Sequence, residues 1–141
     1  MESTNHVKSD GDAKWSQLPG RRQKLKDREA IRRYLDDIDG AQGQLCVLYL
    51  NGALDLVRAM KWCSEGAPSL GDETRNILGQ GEAIGAEGFI LARREPGEEY
   101  HPDRRTVLAV SKLRSLSAEL DLPLLDYLVF PVGQAVSVGG P

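Results

Sequence analysis

The residues most able to do chemistry lie in one polar stretch near the middle of the chain. After the apolar run GFILA the sequence reads RREPGEEYHPD, which contains one of the two histidines of the chain. Glu95, His101 and Asp103 could form an oxygen-rich metal site, because carboxylates and imidazoles bind divalent ions. A single histidine among scattered acids is, however, more typical of a solvated surface loop.

The same stretch is densely charged. Its charged side chains could form an ion-pair cluster or a docking surface for a charged partner; they include Arg93, Arg94, Glu95, Glu98 and Glu99. The alternative is a surface loop without a specific role, since exposed ion pairs typically contribute less than about 1 kcal/mol.

Nucleophilic and thiol chemistry have little support. The sequence contains no Gly-x-Ser-x-Gly elbow and no Cys-x-x-Cys pair. Cys46 lies in an apolar strand pattern and Cys63 is distant from both histidines, so we expect two free thiols, with Cys46 in the core.

One segment is strongly basic and could contact a nucleic acid, because clustered cations release counterions from phosphate. Its basic residues are Arg21, Arg22, Lys24, Lys26, Arg28, Arg32 and Arg33. Asp27, Glu29, Asp36 and Asp37 dilute this charge. A solvated helix face is the alternative interpretation.

Apolar periodicity and turn residues predict the elements that position these side chains. We expect a flexible tail at 1–20, a basic amphipathic helix over 21–40 and a folded domain over 41–141.

Within that domain we expect a β-hairpin of strands over Gln44–Asn51 and Leu54–Trp62 that turns at Asn51-Gly52, then a helix over Thr74–Ile84. A strand over Gly88–Ala92 should be followed by irregular structure from Arg93. A helix capped by Asp103 should run to about Asp121 with an apolar stripe. The stripe consists of Val107, Leu108, Val110, Leu113, Leu116 and Leu120. Strands over Asp126–Pro131 and Ala135–Val138 should follow. This order predicts an α/β fold in which helices pack on a mixed sheet.

Three segments resemble one known family. LCVLYLN, IGAEGFILA and LPLLDYLVF are similar to the first hairpin strand, the strand that enters the metal loop and the "IPLLDHLII" stretch of the RadC branch of the JAB/MPN (JAMM) metalloprotease fold. The resemblance extends from about Gln44 to Val138. It implies a JAB/MPN-like, cytidine-deaminase-like sandwich, with a mixed β-sheet flanked by helices.

The resemblance also implies a position for a zinc site. Active members carry His-x-His-Pro after the strand, a serine seven residues later and an aspartate three residues beyond that. With Pro96 as the motif's proline, Arg93 and Glu95 stand at the two histidines, Asp103 at the serine and Thr106 at the aspartate. All three zinc ligands of the family are therefore altered.

The family's general base is altered as well. That glutamate corresponds to a position at or near Gly43 or Gln44, neither of which can take a proton. Arg93 also repels a metal ion, because a guanidinium stays cationic at working pH. We therefore expect no zinc cofactor and no catalytic residue. Pro96 and Asp126 are expected to support the loop.

Composition excludes a few classes of protein. With 40% hydrophobic residues, 28% charged residues and a net charge of −3, the chain has the composition of a soluble globular protein. No apolar run approaches the about 20 residues that span a bilayer, and the N-terminal residues do not resemble a secretory signal. We expect a cytoplasmic location without membrane contact.

Taken together, the sequence predicts a catalytically inactive RadC-like domain that serves as a binding or assembly module. Its partner would be an unknown protein or a second copy of the chain. Two alternatives remain open: a divergent zinc metallopeptidase or isopeptidase of the JAMM class, and a DNA-associated RadC-like protein.

Overall fold

The computed structural model describes residues 14–19, 23–37, 44–63 and 68–139. Within these ranges the elements are β1 (Trp15–Gln17), α1 (Arg28–Asp37), β2 (Cys46–Leu50), β3 (Leu56–Trp62), α2 (Leu70–Ala83), β4 (Gly88–Arg94), α3 (Arg104–Glu119), β5 (Leu124–Phe130) and β6 (Val136–Ser137). The strands form one sheet in the order β1-β3-β2-β4-β5-β6. In this described sheet β4 and β5 pair in parallel and the other neighbours are antiparallel, so the sheet is mixed.

Apolar side chains cover both faces of this sheet, because strand residues alternate between the two faces. Val47 and Tyr49 of β2 belong to the cluster that packs against α2 and α3. Cys46 and Leu48 of the same strand belong to the cluster that packs against α1. The result is a three-layer α/β/α arrangement, which confirms the predicted fold class. Both cysteines are free and Cys46 is buried, as expected.

The N-terminal segment differs from the predicted tail. Residues 1–13 and 20 lie outside the described residues, but Trp15–Gln17 pair with β3 as an edge strand. The Trp15 ring contacts the Trp62 ring edge-on at 5.1 Å between centroids, and its Nε1 donates to Glu73 Oε1 at 2.9 Å. Leu18 is buried. The contact between the two tryptophans and the burial of Leu18 stabilise this segment. The polar composition of residues 1–20 did not indicate this burial.

The first helix is shorter than the sequence predicts. It begins at Arg28, because Asp27 caps it by accepting a hydrogen bond from the backbone N–H of Ala30 at 2.9 Å. Leu25 lies before the helix, where it is buried and its backbone N–H donates to the carbonyl of Leu54. The basic segment is therefore only partly helical.

The remaining boundaries shift by a few residues. The second helix begins at Leu70 rather than Thr74, because the Ser69 side chain accepts a hydrogen bond from the backbone N–H of Asp72 and caps the helix. Strand β4 continues through Arg94, whereas the sequence predicts irregular structure from Arg93 onward. Pairing with β5 extends it, since Arg93 and Arg94 lie in register with Val129 and Phe130.

The apolar stripe predicted on the third helix is only partly buried. Val110 and Leu113 face the sheet and are buried, whereas Leu108 is 59% exposed. Leu116 and Leu120 are also exposed. Helical spacing predicts that a helix exists, but it does not determine which side of a broad stripe meets the sheet.

Two glycines of α2 give a matched test of how closely this helix packs. A Cβ at Gly81 would lie 2.6 Å from Leu122 Cδ2 and 2.9 Å from Tyr49 Cε1, whereas a Cβ at Gly79 would meet nothing within 4 Å. We expect Gly79→Ala to stabilise the protein by up to about 1 kcal/mol through helix propensity. We expect Gly81→Ala to destabilise it by about 1–3 kcal/mol through overpacking. Urea unfolding of both variants measures the difference, and equal effects would contradict the close packing of α2.

Candidate functional site

The end of β4 presents three charged residues in alternation. Arg93 lies on the α2/α3 side of the sheet, where it pairs with Glu95 directly after the strand, and Arg94 points to the other side. Arg94 forms an ion pair with Asp36 of α1. The side chains at positions 93 and 95 thus lie on one face. The His-x-His pattern of the family that the sequence resembles requires this placement.

Arg93 is held by three neighbours. Its Nη1 donates to Glu95 Oε1 at 2.5 Å, its Nε donates to Tyr127 Oη at 3.3 Å, and its guanidinium carbon lies 4.9 Å from the centre of the Tyr100 ring. The side chains of Arg93 and Glu95 are 19% and 27% exposed. A cation, a carboxylate and two aromatic rings therefore fill the position that the resemblance assigns to the metal.

Burial alone would lower the pKa of the Arg93 guanidinium, but its contacts with Tyr127, Glu95 and Tyr100 outweigh burial and raise it. Arg93 is therefore cationic at every working pH. Burial also raises the pKa of the Tyr127 hydroxyl, which the nearby Arg93 only partly opposes. Tyr127 is thus a neutral hydrogen-bond acceptor for Arg93.

The residues at the serine and aspartate positions begin α3. The Asp103 carboxylate accepts a hydrogen bond from the backbone N–H of Thr106 at 2.8 Å, so it is the N-cap, as predicted. This bond, the Thr106 hydroxyl and the charge of Arg105 lower the pKa of Asp103. Thr106 is half-buried and lines the same cleft as Arg93.

These residues do not fit a zinc ion of the family type. A guanidinium has no lone pair to offer a metal, and a threonine hydroxyl replaces the ligating carboxylate. Gly43 lies outside the described residues, and Gln44 provides an amide whose Oε1 is buried without a hydrogen-bond partner.

The alternative oxygen-rich site is not assembled either. Glu95 pairs with Arg93, Asp103 caps α3, and His101 Nε2 lies 3.0 Å from Glu99 Oε1. In the part of the chain that the structure describes, no group of three or more His, Cys, Asp or Glu side chains could hold a metal ion. Cys46 is no nucleophile, since burial raises the pKa of its thiol to about 12.

The two predicted loop supports have other contacts. Pro96 is exposed, and backbone hydrogen bonds around it hold the loop, from Glu95 N to Phe130 O and from Val132 N to Gly97 O, both at 3.0 Å. The Asp126 carboxylate lies near the start of β5, where it accepts from Tyr127 N at 2.9 Å and from Ser137 Oγ at 2.5 Å. It therefore links β5 to β6 instead of supporting the loop.

Three residues of the basic segment, Lys24, Arg32 and Arg33, are paired with acids. Arg21 and Arg22 lie outside the described residues, and Lys24, Lys26, Arg28, Arg32 and Arg33 lie within them. Lys24 Nζ is 3.4 Å from Asp55 Oδ1, and Glu29 accepts from Arg32 at 2.8 Å and lies 3.7 Å from Arg33. The bond from Arg32 is the main reason that the pKa of Glu29 is lowered.

A cleft of about 490 Å³ opens beside Arg93. We call it the Arg93 cleft. Arg93 and Tyr127 line it from the sheet, Tyr100 from the loop, and Arg105 and Thr106 from the first turn of α3. Sequence reasoning missed Tyr100 and gave Tyr127 no role beyond replacing a histidine of the family, because both contacts with Arg93 depend on tertiary packing.

A mixed sheet between helix layers, with a cleft at the end of β4 and the start of α3, forms an α/β/α domain that is consistent with a JAB-like fold. The family model of the RadC-like JAB domain matches residues 25–140, so this chain belongs to the RadC-like JAB domain family. The match includes α1 as well as the sheet. The curated proteins contain no match to the chain. None of the described helices is long and apolar enough to cross a membrane.

Proposed function

We propose that this chain is a catalytically inactive RadC-like JAB domain that serves as a binding or assembly module for a protein partner or a second copy. The observation that carries the proposal is the Arg93–Glu95 pair at the position of the family's two metal-binding histidines. An intramolecular cation occupies the place where a hydrolase of this fold needs a Lewis acid.

Two further features support an inactive site. Metal-assisted hydrolysis needs an open coordination position and a base that takes a proton from the bound water. Thr106 replaces the third ligand, and its backbone N–H is bound to Asp103. Gln44, at or next to the position of the base, is an amide that cannot accept the proton at neutral pH.

Thermal unfolding with and without zinc tests the proposal. A ligand present at 100 times its dissociation constant stabilises the folded state by about 2.7 kcal/mol, so a genuine site would raise the melting temperature by several degrees. We expect added zinc to leave the melting temperature unchanged, and a pyridyl chelator to have no effect either. A rise with zinc that the chelator reverses would overturn the proposal and favour a divergent metallopeptidase.

DNA association has less support than protein binding. Arg32 and Arg33 pair with Glu29 on the same helix, and Lys24 pairs with Asp55, so their charges are partly offset before any phosphate approaches. Contacts with phosphate dominate the affinity for DNA. They require lysine and arginine side chains that can neutralise phosphates and so release the counterions bound to the DNA.

A further inference from the structure

The Arg93 cleft has an unusual balance of charge. Among the described residues that line it, the charged ones are the two arginines Arg93 and Arg105. Arg93 is mostly buried and offset by Glu95, whereas Arg105 is exposed on the first turn of α3. Both charged side chains that line the cleft are therefore cationic, although the whole chain carries a net charge of −3. Their acidic partners, Glu95 for Arg93 and Asp103 for Arg105, are not among the described residues that line it.

The donors in the cleft suit a planar anion. A guanidinium has five N–H donors in a fixed fork, and the contacts of Arg93 with Glu95 and Tyr127 use its Nη1 and Nε. The hydroxyl of Thr106 lines the same space, and the exposed guanidinium of Arg105 adds a second fork. Arginine forks match a carboxylate in bidentate geometry.

The walls of the cleft suit a ligand that has apolar groups beside its anionic group, as the side chains of a peptide do. Leu45, Leu70, Ala109 and the Tyr100 ring all line it, so apolar surface surrounds the two arginines. A few convergent polar groups within an apolar wall are typical of ligand sites.

A second cleft, of about 530 Å³, provides a comparison on the other face of the sheet. Arg28, Arg32 and Arg94 line it, but so do Glu29 and Asp36, which form ion pairs with Arg32 and Arg94. Two of its three arginines are therefore paired with acids that line the same cleft, whereas no acid is among the described residues that line the Arg93 cleft. The Arg93 cleft is therefore the better anion site of the two.

We propose that the Arg93 cleft binds a carboxylate of an acidic peptide segment, with Arg105 and Arg93 as its anchors. This inference rests on the proposed binding role and specifies the chemistry of the partner. The cleft beside the altered metal position thus presents arginine side chains in place of a metal ion, and it recognises a peptide anion without cleaving it.

Fluorescence polarisation at fixed ionic strength tests the inference, with labelled hexaglutamate as the probe and labelled hexaglutamine as the matched neutral peptide. We expect the full chain to bind hexaglutamate and to bind hexaglutamine much more weakly. Arg105→Ala should weaken hexaglutamate binding by about tenfold, the effect of losing a charge-assisted hydrogen bond of about 1.4 kcal/mol.

Arg104→Ala is the control, because Arg104 is the exposed neighbour in the same helical turn and does not line the cleft. Arg104→Ala removes the same charge as Arg105→Ala, but from an exposed position outside the cleft. We therefore expect it to change hexaglutamate binding by less than about twofold. Equal losses in the two variants, or equal binding of the two peptides, would overturn the inference while leaving the inactive-domain proposal intact. Loss of binding on adding a pyridyl chelator without carboxylates would instead assign the binding to a metal and overturn both.

Discussion

A variant with Arg93→His, Glu95→His and Thr106→Asp is expected to bind about one equivalent of zinc, whereas we expect the unaltered chain to bind none. Positions 93 and 95 share one face at the end of β4, and Thr106 lines the cleft beside Arg93. The substitutions would supply two imidazoles and a carboxylate around that cleft while removing the cation that opposes the metal. Zinc at 100 times its dissociation constant should then stabilise the variant by about 2.7 kcal/mol.

The matched control is Arg94→His, Glu95→His and Thr106→Asp. It carries the same three ligand types, but the residue at position 94 points to the α1 side, where Arg94 pairs with Asp36. Elemental analysis and thermal unfolding should show zinc in the first variant and much less in the control. If both fold and take up equal zinc, then β4 and α3 do not retain the geometry of the metal site.

Glu95→Ala is expected to destabilise the protein by about 1.5–3 kcal/mol, because it leaves a mostly buried guanidinium without its carboxylate. The remaining contacts of Arg93, with Tyr127 and the Tyr100 ring, do not supply a negative charge. Arg93→Met should cost less in the Glu95→Ala background than alone, with a coupling of about 1–2 kcal/mol.

Glu99→Ala is the control for this cycle. Its carboxylate pairs with His101, but the two side chains are 77% and 83% exposed, so we expect a change within about 0.5 kcal/mol. Urea unfolding of the single and double variants gives the coupling directly. Additive effects of the Arg93 and Glu95 substitutions would mean that the two side chains do not stabilise each other in the folded protein.

Much of the fold follows from local signals in the sequence. The β2–β3 hairpin was predicted from apolar runs on either side of Asn51-Gly52, and the Asn51 side chain does accept from Ala53 N and Asp55 N in the turn. The third helix was predicted with Asp103 as its cap, which the structure confirms. Such features depend on residues close in sequence, where periodicity and capping chemistry are informative.

The features that were missed depend on contacts between distant residues. Trp15–Gln17 form a strand only because β3 offers them an edge, with Trp15 in register with Trp62. The contact of Arg93 with Tyr127 joins residues 34 positions apart. Apolar spacing on α3 likewise did not predict that Leu108 would be exposed.

The candidate site was predicted in part. Alignment to the family motif placed Arg93, Glu95, Asp103 and Thr106 in one neighbourhood, and the structure brings Arg93 and Thr106 to one cleft. The motif could not predict that Arg93 and Glu95 would pair with each other, because it records positions and not the contacts of substituted side chains.

The most direct test of the account is the zinc content of the unaltered chain, purified without any chelator and measured by elemental analysis. We predict far less than one equivalent of zinc, because the Arg93–Glu95 pair lies at the position of the family's two metal-binding histidines. Zinc near one equivalent, lost on Thr106→Ala or Glu95→Gln but retained in the Glu99→Gln control, would contradict it and assign the cleft to metal chemistry.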